Sequence, residues 1–344
     1  MAKTSIAGAR IAGIATSVPK NVVNNADLTH LFSEQELRKV IGMVGIHSRH
    51  TSDGSLCSTD LCLAAAYDLI HGLDWNPASI DAVIMVTQSP DYLLPSSSCL
   101  IHRDLGLGED CAAFDVGLGC SGYPYGLWLA HMLVAAGQCR RVLMLHGETP
   151  SLFANPEDRA TALLFGDAGS ATAVEADPSA TDCWHYNLKT DGQGYRALII
   201  EAGGFRERSS TDLSKYYVNM NGPQLFTFTT RQVPLLIEET LQLAGQTADD
   251  IDHFVFHQAN RFITKHITKR MNIPDSKTPS TIENYGNTGG VSVPLTITQG
   301  VKTIDRDSTR LMALGYGVGL SWSSALFTLN KDTFISHSEL KTAD

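Results

Sequence analysis

The chain has 344 residues, 43% of them hydrophobic, and its 26 basic and 36 acidic residues give a net charge of −10. This length is enough for a large buried core and predicts two domain-sized halves. The negative charge disfavours nucleic acid as a partner. Gly, Arg or His interrupts each apolar run before it reaches the roughly 18 residues of a membrane span, so we expect no membrane segment.

The seven cysteines predict neither a metal site nor a disulfide framework. No two are spaced as CxxC, none is paired with close histidines, and their number is odd. With no N-terminal signal sequence in view, this cysteine usage predicts a reducing, cytoplasmic location. Six of them lie in apolar or mixed stretches and are interpreted as structural: Cys57, Cys62, Cys99, Cys111, Cys139 and Cys183.

Strand-like segments alternate with amphipathic segments along the chain, a pattern typical of parallel sheets covered by helices. Hydrophobic periodicity predicts helices over residues 59–71 and 233–243. The predicted fold class is therefore α/β.

A weak internal repeat relates the two halves of the chain. An acidic residue before an apolar strand occurs after Pro77 and again after Ala248, and a Gly-rich turn within strand-like sequence occurs after Leu163 and again after Ala313. Because the two matches keep the same order, we interpret them as a duplication.

Cys120 lies where a buried strand is predicted to turn into a helix. Residues 112–116 read as the strand, Gly117 and Gly119 allow a tight turn, and a helix is predicted over residues 123–136. A thiol at this position feels the positive end of the helix dipole, which favours the thiolate. Nearby backbone N–H groups are able to hold an oxyanion, so the pattern indicates acyl transfer.

Two polar residues of the second half lie at comparable turns. His257 follows an apolar strand and precedes a helix, at the edge of an α/β sheet where catalytic groups concentrate. Asn287 lies between Gly286 and Thr288. Taken singly, His257 fits a hydrogen-bonded structural histidine and Asn287 fits an ordinary turn, because Asn tolerates left-handed backbone angles.

Together, GLGCSGY around Cys120, HQAN from His257 and YGNTGG around Asn287 resemble motifs of the β-ketoacyl-acyl-carrier-protein synthase III family of thiolase-fold condensing enzymes. The resemblance runs from GIATSVP at Gly13 to YGVGLSW at Tyr316. It implies a duplicated five-layered αβαβα fold with halves 1–178 and 179–344, and a homodimer. It also implies that no metal or organic cofactor is needed.

The resemblance implies a role for each site residue. Cys120 accepts an acyl group from a thioester, and the backbone N–H groups of Cys120 and of Val318 or Gly319 form the oxyanion hole. Decarboxylation of a malonyl thioester, delivered by an acyl carrier protein, then gives an enolate that His257 and Asn287 stabilise. The enolate attacks the acylated cysteine and releases a β-ketoacyl thioester.

Several positions depart from the family pattern around coenzyme A. Lys39, Met43 and His47 stand where the family carries a Trp, an Arg and a further basic residue, and Arg261 precedes an apolar residue instead of following one. Arg159 keeps its expected basic role. These changes argue against acetyl-coenzyme A and favour a longer or unusual acyl group brought by a carrier protein, with acyl-coenzyme A as the second option.

Arg261, Lys265 and Lys269 recur every four residues after Asn260 and predict one basic helix face. This face either docks an acidic acyl carrier protein or is a solvated helix surface, and both readings stay open. Asn260, Arg261 and Lys265 are thus candidate carrier or substrate contacts.

The acyl pocket is assigned by resemblance alone. Leu94 matches the position that reaches across the dimer interface to close the partner's acyl pocket. Tyr216, Tyr217, Leu225 and Phe226 are expected near the substrate channel.

Three other functions fit part of this pattern. A papain-like protease orders Cys, His and Asn in the same way, but the long α/β segment before Cys120 and the lack of a signal peptide argue against it. An acyltransferase could pass the acyl group to a hydroxyl or amine, with His257 as general base. A non-catalytic partner subunit would have no need of an intact Cys, His and Asn set.

Overall fold

The structure, a computed structural model, describes residues 3–301 and 307–341. Its strands are β1 (Lys3–Ile6), β2 (Ala9–Pro19), β3 (Val22–Asn24), β4 (Ser48–His50), β5 (Ala82–Val86), β6 (Ala112–Val116), β7 (Arg141–Glu148), β8 (Ala168–Ala176), β9 (Trp184–Thr190), β10 (Leu198–Ile199), β11 (Asn219–Met220), β12 (His253–Phe256), β13 (Ser308–Gly317), β14 (Ser321–Asn330) and β15 (Phe334–Leu340). Its helices are α1 (Glu34–Val44), α2 (Ser58–Gly72), α3 (Ser97–Asp104), α4 (Gly122–Ala135), α5 (Gly222–Ala244), α6 (Arg261–Arg270), α7 (Ile282–Tyr285) and α8 (Ser292–Gly300).

Two mixed sheets organise these elements. The first has the strand order β15-β2-β8-β7-β5-β6, and the second has the order β1-β9-β14-β13-β12. Strand β5 runs parallel to β6 and β7, and β12 runs parallel to β13. Strand β15 also runs parallel to β2, and all the other neighbouring strands of the two sheets are antiparallel. Because buried strands need both faces covered, each sheet is packed between layers of helices.

The layers follow from which side chains pack together. Helices α4 and α8 lie between the sheets, where Leu127 and Ile297 join a core with side chains of both sheets. Helices α2 and α3 cover the outer face of the first sheet through residues such as Leu69. Helices α5 and α6 cover the outer face of the second through residues such as Ile237. The predicted duplicated five-layered αβαβα fold is confirmed.

The repeat seen in the sequence corresponds to equivalent elements. Pro77–Ser79 and Ala248–Asp250 each form one 3-10 turn, which leads into β5 and β12 respectively. The Gly-rich segments that follow Leu163 and Ala313 lead into β8 and β14. In each sheet the strand after the 3-10 turn pairs in parallel with the next strand toward the sheet centre, β5 with β7 and β12 with β13, although β12 lies at an edge and β5 does not.

The predicted elements around Cys120 agree with the structure to within one residue. Strand β6 covers Ala112–Val116 as expected, and α4 begins one residue before the predicted start. The helix predicted over 233–243 is longer than expected, because α5 begins at Gly222 with the Asn221 side chain accepting a hydrogen bond from the Gln224 N–H at 3.1 Å. Threonines in its first turns weaken the helical pattern in the sequence.

The first and last strands cross between the halves. Strand β1 pairs with β9 in the second sheet, and β15 pairs with β2 in the first. Phe334 of β15 packs against Gly13 and Gly72, where an added Cβ would lie 3.0 Å or less from that side chain. The division at residue 178 falls between β8 and β9, and it stays a prediction. None of the described helices combines the length and apolar character of a membrane span.

Candidate active site

Cys120 lies between β6 and α4, against the Gly-rich end of β13. A Cβ added to Gly315 would lie 2.6 Å from the Cys120 carbonyl oxygen, and one added to Gly317 would lie 2.9 Å from Sγ. The Ser323 hydroxyl of β14 donates to the Ser121 carbonyl at 2.8 Å. The second sheet thus holds the cysteine loop at a distance that only glycine permits.

The Cys120 thiol is protonated at neutral pH. The residue is partly exposed through a cavity, yet protein surrounds the sulfur, and this loss of water raises its pKa to about 11. Hydrogen bonds from the backbone N–H groups of Val318 and Cys120 oppose the shift. The sequence predicts that the helix dipole favours the thiolate, and burial acts in the opposite direction by raising the pKa of the thiol.

His257 follows β12 and is fully enclosed. Its Nδ1 lies 2.9 Å from the Ser292 hydroxyl, which also lies 2.7 Å from the Gly289 carbonyl oxygen. Burial, with a smaller contribution from the nearby His146, lowers the pKa of His257 to about 4, and the Gly289 backbone opposes the shift. The imidazole is therefore neutral at physiological pH.

Asn287 is held by backbone contacts with the first half of the chain. Its N–H donates to the Leu164 carbonyl at 2.8 Å, and its carbonyl accepts from the Gly166 N–H at 3.1 Å. Gly286 before it has φ 67°, and an added Cβ would lie 2.7 Å from the Leu164 carbonyl oxygen. The Asn287 Oδ1 accepts from the Gly289 N–H at 3.1 Å. Among the described residues, none accepts a hydrogen bond from its Nδ2.

A cavity of about 220 Å³ lies between Cys120 and Asn287. Cys120, Asn287 and Val318 line it, whereas His257 lies behind Gly289 and does not. Gly319 is also absent from the lining, so Val318 is the better candidate for the second oxyanion donor. The remaining walls are mainly apolar and come from both halves: Gln88, Gly119, Glu148, Pro150, Phe153, Phe165, Leu198, Ile199, Ile200, Val218 and Gly289.

Other predicted contacts lie outside this cavity. Asn260 caps α6, because its Oδ1 accepts from the Ile263 N–H at 2.8 Å. The Arg261 guanidinium donates to the Gly45 carbonyl at 3.2 Å, and Lys265 pairs with Asp275 at 2.5 Å.

Arg159, Phe226 and Leu94 are likewise separate from the cavity. Arg159 pairs with Glu36 at 2.9 Å and lies over the Phe32 ring. Phe226 stacks on the ring of Phe262. Leu94 lies on an exposed loop.

Gln88 and Glu148 are cavity residues that the sequence analysis missed. Each follows or ends a buried strand of the first sheet, at the edge that carries Cys120. A polar residue at such a strand end is a usable signal. Among the described residues, no group of three or more His, Cys, Asp and Glu side chains is arranged to hold a metal ion.

The fold and site together define a class. A duplicated αβαβα chain with a cysteine at the start of a central helix, facing a Gly-rich strand of the second half, has the thiolase fold.

Comparison with known proteins narrows this class to a family. The model of 3-oxoacyl-[acyl-carrier-protein] synthase III matches residues 114–192, and that of its C-terminal domain matches residues 241–329. The chain is 31% identical over 324 residues to a β-ketoacyl-[acyl-carrier-protein] synthase III of Clostridium perfringens, covering 93% of this chain and 99% of that one. A corresponding protein of Chlamydia muridarum is 33% identical over 323 residues, covering 92% and 98%.

A solved structure supports the same family assignment. The 3-oxoacyl-(acyl-carrier protein) synthase from Burkholderia xenovorans LB400 superposes with a TM-score of 0.94 at 38% identity, covering 98% of this chain and 99% of that one. The chain therefore belongs to the 3-oxoacyl-[acyl-carrier-protein] synthase III family, as its motifs predicted, and is an acyltransferase of the condensing class.

Proposed function

We propose that the chain is a β-ketoacyl-[acyl-carrier-protein] synthase III, which condenses an acyl group with a malonyl thioester and releases carbon dioxide. One observation carries the proposal: Cys120, the Val318 N–H and the Asn287 amide share a cavity, with His257 directly behind it. Simple acyl transfer needs a nucleophile and oxyanion donors. Condensation also needs donors for an enolate, and the free Asn287 Nδ2 fits that need.

The first half-reaction transfers an acyl group to Cys120. The sulfur attacks the thioester carbonyl, and the tetrahedral oxyanion is held by the N–H groups of Cys120 and Val318. Collapse of this intermediate expels the donor thiol. The apolar walls formed by Phe153, Leu198 and Ile200 surround the acyl chain.

The second half-reaction uses the same cavity. A malonyl thioester loses carbon dioxide, and the enolate oxygen takes hydrogen bonds from Asn287 and His257. His257 is suited to this as a neutral group, because a charged imidazole is excluded by its low pKa. The enolate carbon then attacks the acyl carbonyl on Cys120 and restores the thiol. The proposed reaction uses no metal or organic cofactor.

The malonyl donor proposed here is an acyl carrier protein. Family membership supports this choice. Lys39, Met43 and His47 differ from the residues that the family carries at these positions, which argues against the family's usual coenzyme A binding site. Arg159, which resembles a family contact, is already paired with Glu36. A carrier protein is therefore also the preferred acyl donor, with acyl-coenzyme A as the alternative.

A homodimer is also proposed. Strand β6 lies at the edge of the first sheet, and such edges are open to pairing with a second chain. Beside it, Tyr92, Leu93 and Leu94 are exposed apolar side chains, and the loop after them is tied to β6 where the Ser97 N–H donates to Asp115 at 2.7 Å. Burying this surface in a dimer would remove it from water.

Intact-protein mass spectrometry tests the proposal. The protein is incubated with acyl-coenzyme A and acyl-carrier-protein donors of increasing length, and then with malonyl-carrier protein. A mass gain on Cys120 that the malonyl substrate discharges, with release of carbon dioxide, is expected. A gain that malonyl thioesters leave in place, while hydroxyl or amine acceptors discharge it, would overturn the proposal in favour of an acyltransferase.

A further inference from the structure

Acylation of Cys120 requires a proton acceptor. The thiol holds its proton at neutral pH, because burial raises its pKa to about 11. The thiol proton must therefore leave as the sulfur attacks the acyl carbonyl. His257 is a weak base, since burial lowers its pKa to about 4.

Glu148 is a carboxylate in the same cavity as the thiol. It ends β7 and is 3% exposed. Its Oε1 accepts a hydrogen bond from the Gln88 N–H at 3.0 Å, and its Oε2 accepts one from the Ser89 hydroxyl at 3.1 Å. An added Cβ on Gly289 would lie 3.0 Å from Glu148 Cγ, so the carboxylate packs beside the loop that carries Asn287.

His146 lies two residues before Glu148 on the same side of β7 and is completely buried. In the part of the chain that the structure describes, neither of its ring nitrogens has a hydrogen-bond partner. Its Nε2 is 3.8 Å from Glu148 Oε1, beyond hydrogen-bond range but close enough to become bonded after a small movement of the carboxylate.

The imidazole is fixed by glycines of the site. An added Cβ on Gly122 or Gly290 would lie 2.9 or 2.2 Å from its Cε1, and that on Gly290 would also lie 2.4 Å from the carbonyl oxygen of Gly119. His146 therefore lies directly beneath the turn that carries Cys120. A buried imidazole without partners costs stability, so its presence beside the site calls for an explanation beyond packing.

We propose that Glu148 accepts the Cys120 thiol proton during acylation. His146 is a positioning residue that holds the Glu148 carboxyl group in place, both when it is ionised and when it has taken up the proton. The inference rests on the proposed function. As the sulfur–carbon bond forms, the thiol proton passes to the Glu148 carboxylate and the acyl oxygen becomes the oxyanion. When the donor carbon–sulfur bond breaks, the leaving thiolate takes that proton, and Glu148 returns to its ionised form.

Whether Glu148→Gln slows or accelerates acylation of Cys120 separates proton transfer from a purely electrostatic role of Glu148. The charge of Glu148 helps to raise the pKa of the Cys120 thiol. If Glu148 acted only through its charge, Glu148→Gln would increase the thiolate fraction and accelerate both alkylation and acylation. If it accepts the proton, the variant keeps or gains alkylation by iodoacetamide but loses acylation.

The experiment measures both rates on Cys120 by quenched-flow mass spectrometry at pH 7, with iodoacetamide and with the donor that acylates the wild-type protein. We expect Glu148→Gln to slow acylation about 100-fold and to leave alkylation at or above the wild-type rate. Asp115→Asn is the matched control, since Asp115 also accepts two backbone N–H hydrogen bonds, at 2.7 and 2.8 Å, but lies outside the cavity.

His146→Gln is tested alone and with Glu148→Gln. The single variant is expected to slow acylation about 10-fold, and the double variant to be no slower than Glu148→Gln, because the two residues act as one unit. Acylation of Glu148→Gln at or above the wild-type rate would overturn the proposal, as would equal slowing of acylation and alkylation. Failure of every donor to acylate the wild-type protein would overturn the proposed function itself.

Discussion

At the scale of single residues, burial leaves both Cys120 and His257 uncharged at neutral pH. It raises the pKa of the thiol to about 11 and lowers that of the imidazole to about 4. Both pKa shifts disfavour a resting thiolate–imidazolium pair at this site. A neutral imidazole adds a hydrogen bond without adding charge, which suits a group that must bind an enolate after carbon dioxide has left.

Asn287→Ala is expected to separate the two half-reactions. The free Nδ2 of Asn287 is needed only when an enolate forms, so Cys120 should still be acylated at close to the wild-type rate. Condensation should fall about 100-fold or more, by analogy with the loss of one oxyanion donor. Asn284→Ala, an exposed position on the same segment, is the control. Full condensation by the Asn287 variant would remove this residue from the mechanism.

Two buried histidines, His131 and His257, are expected to make the fold less stable in acid. Burial lowers the pKa of each from 6.5 to about 4, so between these values the unfolded chain binds protons that the folded chain does not. Their contribution to stability is full above pH 6.5 and is lost as the pH falls toward 4. Each histidine lowers the free energy of unfolding by about 2 kcal/mol between pH 7 and pH 5.

Urea unfolding at these two pH values measures the effect. The variant His131→Gln should lose about 2 kcal/mol less stability than the wild-type protein on acidification. Asp167 acts in the opposite direction, because burial raises its pKa to about 6, but it is present in both proteins and cancels in the comparison. Equal losses in the two proteins would contradict the assignment to His131.

The motifs around Cys120, His257 and Asn287 were enough to predict that these residues share one site, and their roles stay a prediction. The protonation state of the thiol was not predictable in the same way. The helix dipole is visible in a sequence, whereas desolvation depends on side chains that only the fold brings around the sulfur. Glu148 carried the signal of a polar residue at a strand end, but its place in the cavity depends on the loop of Asn287, which only the fold brings beside it.

At the scale of elements, the site depends on how closely β13 approaches the turn before α4. Gly317→Ala should disrupt it, because the new Cβ would lie 2.8 Å from Cys120 Cβ and 2.9 Å from Sγ. We expect about 1–3 kcal/mol lower stability and at least a tenfold loss of acylation. Gly117→Ala is the control, since nothing lies within 4 Å of a Cβ added there. Wild-type acylation by the Gly317 variant would show that the approach is unimportant.

The basic face of α6 gives a second prediction at this scale. If it docks a carrier protein, Lys265→Glu should raise the apparent KM for the carrier substrate several-fold and leave kcat nearly unchanged. The change also breaks the pair with Asp275, so Lys331→Glu, which breaks the exposed pair with Asp307, is the matched control. An unchanged KM for the Lys265 variant would identify this face as an ordinary solvated helix surface.

The elements themselves were largely predictable because their patterns are local. Strand β6 and helix α4 carry strong apolar periodicity between glycines, and they formed within one residue of the expected bounds. The start of α5 was obscured by threonines, and the pairing of β1 with β9 left no local signal. Such pairing joins residues more than 170 positions apart, for example Ile6 and Trp184, so it is set by tertiary packing.

At the scale of the whole molecule, the exposed loop Tyr92 to Leu94 predicts association. Sedimentation velocity is expected to show a dimer for the wild-type protein and weaker association for Leu94→Glu, because a charge would be buried at the interface. Met43→Glu, at another exposed apolar position, should leave the dimer unchanged. A monomeric wild-type protein at micromolar concentration would contradict the proposal.

Strand β15 ties the timing of folding to the end of synthesis. It pairs with β2 from Phe334 opposite Gly13 to Leu340 opposite Pro19. Because a ribosome makes the chain from its N-terminus, β2 is among the first strands made, and its edge partner is the last strand described. Until residue 340 has left the ribosome, β2 keeps an open edge that other nascent chains can pair with. Premature termination would therefore yield a chain that contains Cys120, His257 and Asn287 but is prone to aggregate. The open edge of β2 is a structural feature by which chaperones and proteases can distinguish unfinished copies from complete ones.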